Sequence, residues 1–253
     1  MLRFASLGSG SKGNGTLVEG GGTCVLIDCG FSVRETERRL ARLGRHPGDI
    51  SAILVTHEHG DHLRGALPLA RKHRLPVMMT PGTARGARLG AGEGLISIRP
   101  QQAFKVGDLQ VMPVAVPHDA GEPVQFTVAF GGRKLGVLTD LGSITDTVVQ
   151  HFDGCDGLLL EANHDVQMLY TGRYPPSLKQ RVGGNWGHLN NGQAADLLSR
   201  IERRKIQALV LGHISQQNNT PQRVADAVAP WVEGMEKVIY ACQDEGFSWQ
   251  QIY

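Results

Sequence analysis

Ile53-Leu54-Val55-Thr56-His57-Glu58-His59-Gly60-Asp61-His62 is the stretch on which the reading of this chain turns. An apolar, β-branched run passes straight into six residues that hold three histidines, a glutamate and an aspartate. A helical pattern from Leu63 to His73 follows, ending before Pro76. Within a strand-to-helix turn the backbone keeps neither the period of a strand nor that of a helix. His57, His59, Asp61 and His62 can therefore be aimed at one point. Imidazole nitrogen and carboxylate oxygen converging on a point form the donor set of Zn²⁺, Mn²⁺ and related divalent ions. Solvated histidines in a helix-capping loop are the plainer alternative, but His-x-His-x-Asp-His after a buried strand is a specific pattern.

Outward from this motif, strands are expected at Leu2–Leu7, Thr16–Glu19, Cys24–Asp28, Ala52–Thr56, Val77–Thr80, Leu109–Val116, Val124–Phe130 and Lys134–Thr139. Gly20-Gly21-Gly22 and Gly131-Gly132 suit hairpin turns between them. Ser32 with Glu35 reads as a capping box and Gly44 as the stop of that helix. Asn191–Arg203 carries an apolar stripe, and Thr220-Pro221 opens a helix reaching Val232. Pro175-Pro176 to Gly183-Gly184 reads as a loop. No repeat, low-complexity stretch or linker divides residues 1–253, so one α/β domain with mixed sheets is expected.

Composition narrows the class. Hydrophobic residues make up 41% and charged residues 20%, as in an ordinary globular protein, while 33 glycines imply many tight turns. A net charge of +2 excludes a broadly basic nucleic-acid binder, so any phosphate-binding surface is local. No apolar run approaches the roughly 18 residues of a membrane span, and Met1–Ser6 has no apolar signal core. Cys24, Cys29, Cys155 and Cys242 form no CxxC pair and read as reduced thiols. A cytoplasmic protein with no membrane partner is the expectation.

The motif resembles the signature of the metallo-β-lactamase superfamily. That resemblance implies an αββα sandwich, two mixed β-sheets flanked by helices, with metals at one edge. It implies that His57 and His59 bind one metal and that Asp61 and His62 serve a second. His118, ending a strand after Val114-Ala115-Val116-Pro117, is then the third histidine of the first site. Asp140, after Leu138-Thr139, is the bridging carboxylate, and His213, after Leu211-Gly212, the last ligand. Enzymes of this fold with a cysteine ligand would carry it where Asp140 stands, and the diiron flavoproteins place glutamate where His59 stands. Two divalent ions, Zn or Mn, are thus implied, with a bridging water acidified to a hydroxide nucleophile. The reaction class is metal-assisted hydrolysis.

Further stretches resemble the YycJ (WalJ) branch, related to tRNase Z and PhnP, over nearly the whole chain. They are Ser9-Gly10-Ser11-Lys12-Gly13-Asn14, Leu158–Asp165, Tyr174–Lys179, Gly187-His188-Leu189 and His213-Ile214-Ser215 to Pro221. The resemblance implies phosphodiester hydrolysis, chiefly 5′ exonuclease action on DNA ends, linked to mismatch repair. By similarity to tRNase Z, Glu161 orients His188, which protonates the leaving oxygen; Leu160 stands where that relative has histidine, so the match is partial. Asp61, Glu161 and His188 are the catalytic candidates. His188 as a mere cap of the Asn191 helix is the alternative.

Asp28 ends a buried strand and could accept the free ring N–H of a metal-bound histidine. Ser9, Ser11 and Asn14 could present backbone N–H groups to an anion, or simply turn the chain. His164 could be a further ligand, a phosphate donor or a satisfied buried histidine. Lys179 and Arg181, with Arg64, could draw a phosphate or be solvated surface charge. His46, His73 and His151 read as surface residues. The stretch 141–212 is too short for the insertion of RNase J-type nucleases. A small cyclic phosphodiesterase and a thioester or lactone hydrolase are the competing enzymes, and a non-catalytic metal-binding partner protein is a third class.

Overall fold

Strands whose successive residues face opposite sides build two sheets that meet across one apolar layer. The computed structural model describes residues 1–90 and 94–253. β1 (Leu2–Gly8), β2 (Gly15–Gly20) and β3 (Thr23–Ile27) form an antiparallel meander. To it β4 (Ala52–Leu54), β5 (Val77–Met79) and β6 (Leu95–Ser97) add in parallel. The helices among them are α1 (Val33–Arg42), α2 (Gly60–Leu63), α3 (Ala66–His73) and α4 (Pro81–Gly86).

The second half repeats this plan. β7 (Phe104–Val106), β8 (Leu109–Ala115), β9 (Val124–Phe130) and β10 (Arg133–Leu138) run antiparallel, and β11 (Gly157–Glu161), β12 (Ala208–Gly212) and β13 (Val238–Tyr240) add in parallel. Its helices are α5 (Asp146–Phe152), α6 (Val166–Thr171), α7 (Pro176–Val182), α8 (Asn191–Arg200) and α9 (Pro221–Val232). β14 (Phe247–Ile252) returns to pair with β1, so among the described residues each sheet has seven strands. This is the αββα sandwich that the resemblance implies.

The central strands are buried on both faces, as parallel strands covered by helices must be. In β3, Val25 and Ile27 enter the layer between the sheets, while Cys24 and Leu26 pack under α1 and α3 with Leu40 and Leu69. In β11, Leu159 faces inward, and Leu158 and Leu160 join the cluster that holds Ala194, Leu197 and Leu198 of α8. Phe4 and Phe126 fill the centre of the inner layer. All four cysteines are free; burial pushes the thiols of Cys24 and Cys155 up to about 12, and Cys242 is exposed.

Several elements differ from the sequence expectation. The helix read as Leu63–His73 is two, α2 and α3, parted at Arg64-Gly65. There the Gly65 N–H donates to Cys29 O at 2.7 Å, and a side chain on Gly65 would run into Phe31 O. The 175–184 loop is mostly α7: Pro176 is its N1 proline and Gly183 its C-cap, so residues read as breakers are the two ends of a helix. Lys179 and Arg181 are therefore helical. The short strands β6 and β7 were not anticipated, nor was β14, in which Ser248, Gln250 and Gln251 mask the alternation.

Backbone contacts clamp the motif turn. Asn14 N donates to Asp61 O at 2.8 Å, Cys29 N to His62 O at 2.7 Å and Gly30 N to Asn14 O at 2.9 Å. A Cβ on Gly30 would collide with Asp61 O and lie 2.9 Å from Asn14 N. Gly30→Ala is expected to cost about 1–3 kcal/mol by overpacking, a fall in Tm of several degrees by calorimetry. Gly48→Ala, where a Cβ meets nothing within 4 Å, should stay within about 0.5 kcal/mol of the parent.

Candidate metal centre

Every predicted ligand sits just past the carboxyl end of a strand, where open α/β sheets place their sites. β4 leads to His57–His62, β8 to His118, β10 to Asp140 and β12 to His213, while Glu161 closes β11 and Asp28 follows β3. Asp28, Asp140 and His213 hold positive φ values of 63°, 52° and 52°. Residues with side chains seldom adopt that conformation, and it concentrates where a site over-determines the backbone.

The structure brings all seven predicted ligands together. His57, His59 and His118 form one group of donors, and Asp61, His62 and His213 another. Asp140 groups with His57 and His62 on one side and with His213 on the other. In the first group, His57 Nε2 and His118 Nε2 lie 3.0 and 3.2 Å from His59 Nδ1. In the second, His62 Nε2 stands 3.0 Å from Asp140 Oδ2 and 3.5 Å from Asp61 Oδ2, which is 3.8 Å from His213 Nε2.

Most of these rings are fixed from behind. His57 Nδ1 meets Thr56 Oγ1 at 2.9 Å, His62 Nδ1 meets Asp28 Oδ2 at 2.8 Å, and His118 Nδ1 meets Gly187 O at 2.9 Å. His213 Nδ1 meets Glu161 Oε1 at 3.0 Å. Such outer partners set the tautomer and leave the inner nitrogen free for a cation. The donors fit a divalent ion on a direct observation: Asp140 Oδ2 and His213 Nε2 are buried without a hydrogen bond. Unpaired polar atoms in a dry interior are costly, and a cation between the groups satisfies both.

The electrostatics agree. Burial raises the Asp140 carboxyl, but His213 and His62 override it and hold the group well below its usual range. Burial lowers the His213 imidazolium, and Asp140 with Asp61 and Glu161 reverses this to about 10. His57, in contrast, is kept neutral by burial and by neighbouring His62. The centre therefore needs positive charge, whether from protons or from a metal.

Glu161 is fully buried and accepts four hydrogen bonds, from His188 Nδ1 at 2.8 Å, His213 Nδ1 at 3.0 Å, Leu189 N at 3.0 Å and Leu141 N at 3.1 Å. Against its burial, these imidazoles keep its carboxyl down at about 2. His188 Nδ1 is also 3.3 Å from Asp140 Oδ1. His188 and Asp61 line an open cleft of about 390 Å³ with Ser11, Asp119, Tyr174 and Arg181.

The remaining candidates divide. Ser9 Oγ accepts from His213 N at 2.8 Å, and the Asn14 amide lies 3.0 Å from His62 Nε2. The N–H groups of Ser9, Gly10, Lys12, Gly13 and Asn14 are bonded within the protein, and Ser11 is the member of that loop that reaches the cleft. Arg181 pairs with Asp119 at the cleft edge. Lys179 Nζ is held by Tyr170 O at 2.7 Å and, like His164, lines a neighbouring cavity and not the cleft at the metal groups. Arg64 ties Gly30 O and Lys12 O. His46, His73 and His151 lie outside the cluster. Thr56, Asp119 and Asn163, which packs on His213, were not anticipated; their signal was adjacency to a ligand in sequence or to Ala162-Glu161.

Comparison with known proteins accords with this geometry. The family model described as the β-lactamase superfamily domain matches residues 23–214, and the chain belongs to that superfamily. With this fold and donor set it is a metal-dependent hydrolase. Among curated proteins it is 34% identical over 238 residues to exodeoxyribonuclease YycJ of Bacillus anthracis, covering 92% of this chain and 89% of that protein. It is 33% identical over 224 residues to exodeoxyribonuclease WalJ of Streptococcus pneumoniae, covering 86% and 83%. Among solved structures, Zn²⁺-bound PqqB of Methylobacterium extorquens superposes with a TM-score of 0.76 at 18% identity, covering 99% and 100%, and shares the fold.

A ligand that binds only the folded state stabilises it, by about 2.7 kcal/mol at a hundredfold excess over Kd. Stripping divalent ions with a chelator should therefore lower Tm by roughly 5–10 °C, and Zn²⁺ or Mn²⁺ should restore it. In Asp61→Ala the shift should shrink. Differential scanning calorimetry checks both.

Proposed function

We propose that this protein is a nuclease that removes nucleotides from the 5′ end of DNA, using two divalent ions, Zn or Mn. The observation that carries the reading is Glu161 Oε1 at 2.8 Å from His188 Nδ1, at the wall of a cleft floored by two donor groups. Phosphodiester cleavage expels an alkoxide, a poor leaving group, and needs a positioned acid. A thioester expels a thiolate, which leaves without such an acid. The names of the two bacterial relatives, both exodeoxyribonucleases, support DNA as the substrate.

His57, His59 and His118 would hold one ion and Asp61, His62 and His213 the other, with Asp140 between them. Ions held there supply Lewis acidity, polarising a phosphoryl oxygen and lowering the pKa of water. The chain's own residues do the rest. Glu161 fixes the His188 ring by its Nδ1, which leaves Nε2 to deliver a proton to the departing oxygen. The same carboxylate aligns His213, so acid and ligand share one anchor. Arg181, tethered by Asp119, lies at the cleft edge where a phosphate would enter. Excision during mismatch repair is a process such an activity would serve.

The test is a metal-reconstituted assay on 5′-phosphorylated DNA beside a chromogenic small phosphodiester. Stepwise loss from the 5′ end, absent in Asp61→Ala, is expected. Cleavage of the small diester alone would instead favour a small-molecule phosphodiesterase. His188→Ala should keep its metal, measured by plasma emission, while kcat falls by about 10²–10⁴. Loss of metal with full activity in the loaded fraction would refute the acid role.

A further inference from the structure

The cleft has a neighbour. A cavity of about 530 Å³ lies on the other side of α7, lined by His164, Val166, Leu169, Tyr170, Pro176 and Lys179 among others. α7 is the wall between the two: Leu178, Arg181 and Val182 face the cleft, while Pro176, Lys179 and Gln180 face the cavity. The floors are also continuous. Asn163 N donates to Leu189 O at 2.9 Å and Asn191 N to His164 O at 3.0 Å, so residues 161–164 run beside 188–191. Glu161 and His188 stand at one end of this pair, and His164 and Asn190 at the other. Three residues of extended chain span about 10 Å, a step comparable with the reach of one nucleotide.

We propose that this cavity is a nucleobase pocket, which takes one unstacked base of the DNA end while the adjoining phosphate sits at the metal groups. The proposal deepens the nuclease reading and rests on it. Two observations point to a ligand. Tyr170 is 81% and Val166 60% exposed at the cavity rim, a large apolar surface to leave in water on so short a helix as α6. His164 is 2% exposed, lines the same cavity, and has no partner for Nδ1. Carbon walls with an aromatic rim suit the flat face of a base, whatever its sequence, because every base offers a π-face. The His164 imidazole, with Nε2 beside Gly183 of the cavity wall, and the Gln180 amide offer hydrogen-bonding groups to its edge. Lys179 and Arg181 put positive charge on the dividing helix, which favours a base still attached to its phosphates over an apolar peptide or acyl chain.

Steady-state kinetics on 5′-phosphorylated single-stranded DNA test the pocket, using DNA with an abasic site at the first or the second nucleotide. An abasic site at one of these positions should raise KM about tenfold, with kcat changed less than about twofold. Tyr170→Ala should cause the same rise on intact DNA and none beyond it on that abasic DNA. Tyr170→Phe should behave as the parent. Equal KM for intact and abasic DNA, or an unchanged KM in Tyr170→Ala, would overturn the pocket and leave the nuclease reading standing. Failure of the parent protein to cleave any of the DNAs would refute the nuclease reading and the pocket with it.

Discussion

Three carboxylates, Asp28, Asp140 and Glu161, lie almost wholly out of water among buried and half-buried imidazoles. Burying one uncompensated carboxylate is prohibitive, and burying three in one cluster demands matching positive charge and hydrogen bonds. Much of the architecture answers that demand. Asp28 is held by Thr56 through both its N–H and its hydroxyl as well as by His62. Glu161 is held by two imidazoles and two amides. Asp140 alone keeps an oxygen without a hydrogen bond, and it lies between the two donor groups. The unmet demand is therefore local, and its place is where divalent ions would sit.

Glu161 links the two halves of the chemistry. Its Oε1 accepts from His213, a ligand candidate, and from His188, the acid candidate, while Oε2 accepts from the Leu141 and Leu189 amides. Turning one ring therefore disturbs the other. A carboxylate with four donors has little freedom, so both imidazoles are positioned before substrate arrives, and little reorganisation remains for the reaction itself. The strand directions explain why these groups meet: the carboxyl ends of β4, β8, β10, β11 and β12 lie along one edge, and residues far apart in sequence arrive there together.

The sequence told much of this because strand ends are legible. A β-branched run followed by a polar residue marks where a side chain leaves the sheet, and His57–His62, His118, Asp140 and His213 all follow such runs. Asp28 was legible for the same reason. Contacts between distant loops were not: nothing local in Gly187 announces its bond to His118, nor in Asp119 its grip on Arg181. Pro-Pro and Gly-Gly misled at α7 because the residues that start and stop a short helix are also those of a loop. That error hid the dividing wall, and with it the second cavity. His164 stayed undecided because one histidine in an Asn-His-Asp setting has no period or spacing to place it.

If two divalent ions share Asp140, anomalous diffraction from crystals grown with Zn²⁺ or Mn²⁺ should reveal them. Two strong peaks are expected, one against His57, His59 and His118 and one against Asp61, His62 and His213, with Asp140 between them. A single peak, or peaks away from these residues with the cluster left without metal, would contradict the shared site.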